Sequence, residues 1–229
     1  MKKLTKRREQ INKLITKDLY SPEEAIKILQ ETSMAKFIES AEAHIALNID
    51  PKYSDQQLRT TVILPKGTGK TKRIALLLPS EKISSEYQEL ANIVGSDDLI
   101  DTMSKGEINF DILISTPDMM PKLAKLGRIL GPKGLMPSPK AGTVTNDIKT
   151  TLNEFKQGKV EYRADRTGIV HLSFGKANFL KEDLLENLLT VYNSIEQNKP
   201  SGVKGRYFKT FYICSTMGPS IGLELASFK

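Results

Sequence analysis

The strongest constraint on this fold is that the spacing of apolar residues changes twice along the chain. Around residues 42–50 it alternates, with Ala43, Ile45, Leu47 and Ile49 on one side and Glu42, His44, Asn48 and Asp50 on the other. Period two with one polar face predicts an antiparallel strand, packed on one side and solvated on the other. The runs Ile74-Ala75-Leu76-Leu77-Leu78 and Ile112-Leu113-Ile114 have no polar face at all. Such short, continuous runs predict strands buried on both sides, as in a parallel sheet covered by helices. Alternation returns after residue 159, in Val160-Glu161-Tyr162-Arg163 and again over 169–174.

Helical patterns separate the strands. Residues 5–16 form an amphipathic stretch through Ile11, Leu14 and Ile15. Ser21-Pro22-Glu23-Glu24 predicts a capped start, with Pro in the first turn and Glu24 reaching back to complete a capping box, for a helix running to about Thr32. Further helices are predicted over 86–94, stopped by Gly95, over 97–104, stopped by Gly106, and over 119–130, 147–157 and 181–197. The strand at 59–64 is the expected partner of 42–50. Segments 160–163 and 169–174 read as a hairpin about the turn 164–168, and 206–214 as the last strand. The economical arrangement is α/β with two domains. Residues 1–66 plus 160–229 form a discontinuous α+β domain holding both termini. Residues 67–159 form an inserted, Rossmann-like α/β domain with a parallel sheet, joined by two crossings that permit a hinge.

The net charge of +7 favours a polyanionic partner. It is spread as +3 over residues 1–66, +2 over 67–159 and +2 over 160–229, so no segment is overwhelmingly basic. No apolar run is long enough to span a bilayer, and no membrane partner is expected. The basic start (Lys2, Lys3, Lys6, Arg7, Arg8) is followed by no apolar stretch, so no export signal is expected. Cys214 is the single cysteine, which excludes an intramolecular disulfide, and it reads as a buried strand residue. Neither His44 nor His171 sits in a ligand-spaced pair, so no metal and no cofactor are expected.

Gly67-Thr68-Gly69-Lys70-Thr71 invites a phosphate-loop reading. That loop needs a glycine where Leu64 stands, and it must open a helix, whereas residues 72–78 continue as a strand. A dinucleotide-type turn would need glycine at Lys72. Asp97 and Asp98 are adjacent and face different ways, and no Ser/His/Asp set stands out. The chain therefore reads as no enzyme. Two alternatives remain open at this stage, a phosphate-loop-like nucleotide-binding enzyme and a two-domain protein closing on a small ligand.

The segment Leu126-Gly127-Arg128-Ile129-Leu130-Gly131-Pro132-Lys133-Gly134-Leu135-Met136-Pro137-Ser138-Pro139-Lys140-Ala141-Gly142-Thr143-Val144 resembles the signature of the ribosomal protein L-one family. Ala35-Lys36-Phe37-x-Glu39-Ser40, Leu64-Pro65-x-Gly67-Thr68-Gly69-Lys70, Asn109-Phe110-Asp111 and Ser215-Thr216-Met217-Gly218-Pro219 support it along nearly the whole chain. The resemblance implies the same insertion architecture and a structural protein of the large ribosomal subunit. It further implies direct binding of stalk rRNA, help in releasing deacylated tRNA from the exit site, and repression of translation through the protein's own mRNA. Carried over by position, the implied rRNA contacts are Lys36, Phe37, Ser40, Glu42, Asp165, Arg166, Thr167, Gly168, His171, Ser173, Thr216, Met217 and Gly218. Lys133, Gly134 and Lys140 are a possible second RNA contact in the inserted domain. The family turn usually resembles Arg-Asn-Asp-Lys-x-Gly, and here Ala164 replaces the Asn while Arg166 keeps the charge. The free protein is expected to be a monomer. Rich Ile, Lys and Asn usage fits an AT-rich genome, either bacterial or plastid, with plastid stroma slightly favoured.

Overall fold

The computed structural model describes residues 6–228; Lys2, Lys3 and the expected helix start at Thr5 lie outside the described residues. In chain order the first elements are α1 (Lys6–Leu14), α2 (Pro22–Thr32), β1 (Ser40–Leu47), β2 (Arg59–Ile63), β3 (Ile74–Leu77) and α3 (Ser85–Leu90). There follow β4 (Ile93–Gly95), α4 (Asp97–Ser104), β5 (Ile112–Ser115), α5 (Met120–Ala124), α6 (Gly127–Leu130) and α7 (Ile148–Lys156). The last are β6 (Lys159–Arg163), β7 (Ile169–Lys176), α8 (Lys181–Gln197), β8 (Phe208–Ser215) and β9 (Ser220–Gly222). The chain divides into two compact units, Met1–Gly69 with Val160–Lys229, and Lys70–Lys159.

The first unit is built on an antiparallel sheet of order β7-β1-β8-β9. The alternation read in β1 decides its faces. Ala43 and Ile45 pair with Leu172 and Val170 on one side and with Ile213 and Phe211 on the other. These side chains are buried in one cluster with Ile26 and Leu29 of α2 and Leu184, Leu188, Val191 and Ile195 of α8. Burying one Leu or Ile in such a cluster contributes about 1.5–3 kcal/mol, so these faces hold both helices to the sheet. Ser21 caps α2 by accepting the Glu24 amide at 3.3 Å. The reciprocal half of the expected box is replaced, because the Glu24 carboxylate lies 3.5 Å from Lys17 Nζ.

Two pairings differ from the sequence reading. Both edges of β1 are taken, by β7 and β8, so β2 pairs with β6 in a separate two-stranded sheet tied by Arg59 and Glu161. The expected hairpin of 160–163 with 169–174 is present only at its turn, where the Asp165 amide donates to Ile169 O and Ala164 bridges Val170. Beyond that turn the strands part. Tyr162 is buried with its hydroxyl 2.9 Å from Ser194 of α8, so β6 follows that helix rather than β7. Strand β9 is only three residues long, too short to show a period in the sequence.

The second unit holds a parallel sheet of order β4-β3-β5. Its central strand is buried throughout, as an uninterrupted apolar run requires. Ile74, Leu76 and Leu78 cluster with Ile148, Leu152 and Phe155 of α7, while Ala75 and Leu77 cluster with Met103 of α4 and Leu123, Leu126 and Leu130. The helix read over 86–94 ends at Leu90, because Ile93-Val94-Gly95 pairs with Ala75-Leu76-Leu77 as a sheet edge. The helix read over 119–130 is broken into a 3-10 turn, α5 and α6.

Residues 67–69 belong to the first unit for a visible reason. Leu64-Pro65-Lys66-Gly67 is a turn closed by the Gly67 amide on Leu64 O, with Pro second and Gly fourth. Gly67 and Gly69 both have positive φ, 65° and 69°. A Cβ on Gly69 would meet Lys176 Cγ at 2.7 Å. No helix opens at Lys70; residues 70–73 run irregularly into β3. Lys66, moreover, is held by Asp183 and Glu186 of α8 at 3.3 and 3.5 Å. The glycines here serve a tight turn under a helix and not a phosphate cradle.

Candidate nucleic-acid interface

The sheet face opposite α2 and α8 carries the alternate residues of each strand. Register places Ser173, Glu42, Cys214 and Ser220 in one row across the sheet, and His171, His44, Tyr212 and Gly222 in the next. Glu42, His44, Ser173 and Cys214 are half-buried, and His171 and Tyr212 are exposed. Polar and aromatic groups on a twisted, open sheet suit a partner that offers hydroxyls and base edges on a shallow surface, as folded RNA does.

At the end of the sheet where β1 begins and β8 ends, two loops are locked together. Glu39 is 0% exposed. Its carboxylate accepts the Ala35 amide (3.0 Å), the Ser215 hydroxyl (2.7 Å) and the Met217 amide (2.9 Å), and lies 3.7 Å from Arg7. Burial pushes this carboxyl up, but those donors and the Arg7 cation outweigh it and hold the group below the usual glutamate range. Thr216 Oγ1 accepts the Ser40 amide at 2.9 Å, and the Thr216 amide donates to Ser40 O at 3.1 Å. A Cβ on Gly218 would meet Ser215 Oγ at 2.3 Å, which is why this turn takes glycine. The clamp presents Phe37, 54% exposed, and Met217, 59% exposed, beside exposed Lys36 and Ile38. Large apolar side chains held outward on a fixed loop suggest stacking or packing on a partner.

The other end of β7 carries the turn. Asp165 Oδ1 accepts the amides of Thr167 and Ile169, both at 2.8 Å, and the Thr167 hydroxyl also lies on this carboxylate at 2.7 Å. These bonds, the Ile169 amide first, outweigh burial and hold the Asp165 carboxyl below its usual range. Gly168 has φ 80° and sits under Ile49. Arg166 is exposed at the tip.

The thirteen positions implied by family resemblance all lie in the first unit, at the Glu39-clamped loops, on the open sheet face and at the Asp165 turn. They do not all present a free group. Ser40 is buried, with its hydroxyl accepting from Lys176 Nζ at 2.9 Å, and Gly168 is buried. Asp165 and Thr167 spend their polar atoms on the turn, and Thr216 spends its hydroxyl on Ser40. Lys36, Phe37, Arg166 and Met217 stand free to reach outward, His171 is exposed but engaged with His44, and Glu42 and Ser173 are half-buried between them. Glu39 stands in the Ala35–Ser40 motif, but the sequence gives it no role. Its signal was only a lone acid between apolar Ile38 and a strand, and such a residue is almost never fully buried without partners.

Lys133, Gly134 and Lys140 lie in the second unit, all exposed. Gly134 has φ 71°, as a tight turn after α6 requires. The long signature around them is largely architectural. Leu126, Leu130, Pro137 and Ala141 are buried, Thr143 Oγ1 accepts the Ser138 amide at 2.8 Å, and Val144 forms a parallel bridge with Ser115. Gly131 lacks room for a side chain, since a Cβ would lie 2.5 Å from Gly127 O.

His44 Nδ1 lies 2.8 Å from His171 Nδ1, and His44 Nε2 lies 3.2 Å from Cys214 Sγ. Burial and the neighbouring His171 push the His44 imidazole down, and burial together with Glu42 pushes the Cys214 thiol up. Cys214 is a strand residue as read, although half-buried on the open face rather than in the core. Sequence spacing carries no hint of this grouping, because strand pairing joins residues 170 positions apart.

Residues 29–219 match the Ribosomal protein L1p/L10e family. The large ribosomal subunit protein uL1c of Trieres chinensis is 61% identical over 230 residues, covering 100% of both chains. That of Porphyra purpurea, also uL1c, is 58% identical, covering 99% of each. A large ribosomal subunit protein uL1 of Prochlorococcus marinus is 57% identical, covering 99% of this chain and 97% of the relative. A match that runs from α2 through the Gly218 turn takes in both units, the Glu39 clamp and the long signature, and on that ground this chain belongs to the Ribosomal protein L1p/L10e family.

Proposed function

We propose that this chain is a structural protein of the large ribosomal subunit that binds stalk rRNA through the open sheet face of its first unit. The family is structural and non-enzymatic. In this reading the unit of residues 1–69 plus 160–229 acts as the rRNA-binding domain and 70–159 as an inserted domain whose Lys133, Gly134 and Lys140 offer a second RNA contact. The protein works as a monomer in the mobile stalk, assists release of exit-site tRNA, and binds its own mRNA where that carries a similar fold. Plastid relatives named uL1c and cyanobacterial uL1 support a plastid or bacterial ribosome.

The observation that carries the reading is the clamp. A fully buried carboxylate, held by three donors and a cation, does nothing but fix two loops that push Phe37 and Met217 outward. Ordering those loops in advance reduces the entropy lost on binding. Lys36 and Arg166 supply phosphate contacts at the two ends. Glu42, which repels phosphate, suits a 2′-hydroxyl or a base amino group.

Phe37→Ala is expected to weaken binding to the stalk rRNA fragment by about 1–3 kcal/mol, the usual loss of a stacking platform. Lys36→Ala should weaken it less and flatten its salt dependence by about one phosphate contact. Filter-binding titrations at several salt concentrations read both. Wild-type affinity for Phe37→Ala would remove the sheet-end loops from the interface.

A further inference from the structure

We propose that Glu42, His44 and Cys214 form a binding site for one zinc-class divalent cation on the open face of the β7-β1-β8-β9 sheet. Glu42 and His44 are two residues apart on β1 and so share a face, and Cys214 of β8 lies directly opposite Glu42 in the register. One ligand atom from each comes within 4.8 Å of the others. The His44 Nε2 to Cys214 Sγ separation is 3.2 Å. Two ligands bound to one tetrahedral zinc at the usual bond lengths stand roughly 3.5 Å apart, so sulfur and nitrogen need almost no movement.

The surroundings also accommodate the tautomer that a metal needs. His171 Nε2 faces Asp165 Oδ2 at 3.8 Å, which favours its proton on that side and leaves Nδ1 free to accept. In that tautomer His44 Nδ1 donates to His171 Nδ1 across 2.8 Å, leaving the Nε2 lone pair for the metal, 3.2 Å from Cys214 Sγ. An imidazole ligand whose far nitrogen donates to a second partner is the usual arrangement at zinc. The donor set is one thiolate, one imidazole and one carboxylate, which selects a borderline-soft ion over magnesium or calcium. Binding releases the Cys214 proton to solvent as the sulfur–metal bond forms. All three residues are half-buried, so the fourth coordination position opens to the solvated face.

The test uses the purified full chain and cobalt(II) as probe, with no RNA, so its result is independent of the RNA reading. One equivalent of cobalt should produce a thiolate-to-cobalt charge-transfer band that zinc bleaches. His44→Gln and Glu42→Gln should each weaken cobalt binding at least about tenfold, and His171→Gln about tenfold through the lost orientation of His44. Tyr212→Phe, on the same face, should leave it unchanged. Zinc should also slow alkylation of Cys214 in the unmutated chain at least about tenfold, a readout that no folding defect can mimic. Absence of the band, wild-type cobalt affinity in His44→Gln or Glu42→Gln, or an alkylation rate indifferent to zinc would each overturn the site.

Discussion

Glu39→Ala is expected to lower the unfolding free energy by about 3 kcal/mol and to weaken rRNA binding at least as much as Phe37→Ala. Removing the carboxylate strands the Ala35 and Met217 amides and the Ser215 hydroxyl, and leaves Arg7 without its counter-charge. Each hydrogen bond to a charged partner is worth about 1.5–3 kcal/mol, and water entering the opened loops recovers part of the sum. Glu39→Gln keeps the shape but can accept through only one oxygen, and should cost about half as much. Acid should reproduce the effect in the native chain. The folded carboxyl is held low, so its stabilisation is complete above the unfolded glutamate pKa of about 4.3 and disappears as pH falls through the folded value. Urea denaturation from pH 6 down to pH 3 reads both results. If Glu39→Gln and the native chain lost stability in parallel over that range, the clamp would not be electrostatic.

Asn187→Ala is expected to cost about 2–4 kcal/mol. Asn187 is fully buried in α8, and both polar atoms of its amide are hydrogen-bonded. Oδ1 accepts the Lys66 amide at 3.1 Å, while Nδ2 donates to Gly67 O at 3.1 Å and Phe174 O at 2.9 Å. The side chain thus joins the Pro65-Lys66-Gly67 turn to α8 and β7, and its loss leaves the part-buried Lys66 amide and Gly67 carbonyl and the buried Phe174 carbonyl without this partner. Asn187→Leu, which fills the space without the bonds, should be as damaging as alanine. Asn187→Asp should be worse, because a carboxylate would face two carbonyl oxygens. Denaturation midpoints give the order, and hydrogen exchange at the Lys66 amide locates the effect. Retained protection of that amide in Asn187→Ala would show that the turn is held by other means.

Both side chains mark where reading from residues alone stops. The alternation in β1, the buried run of β3 and the amphipathic face of α8 follow from periodicity, which is local and survives into the structure unchanged. Partners do not. Residues 59–63 and 159–163 looked like companions for the strands nearest them in sequence, and instead pair with each other, because β1 takes β7 and β8 on its two edges and Tyr162 anchors β6 on α8. Residues 93–95 show a second limit. A three-residue edge strand carries too few positions to display a period, and a preceding helix absorbed it in the reading.

The candidate site divides in the same way. The exposed members, Lys36, Phe37, Arg166 and Met217, were reached through their motifs. The role of the group that holds them was not: Glu39 stands in the same motif as Lys36 and Phe37, but a buried acid's part is recognisable only by donors that lie up to 178 residues away. Periodicity, capping residues and glycine punctuation were written into the chain and are properties of neighbours a few positions apart. Strand partners, the Glu39 clamp and the grouping of Glu42, His44 and Cys214 arose only on folding, since hydrogen-bond and ligand geometry depends on distance in space and the chain brings together what its order keeps apart.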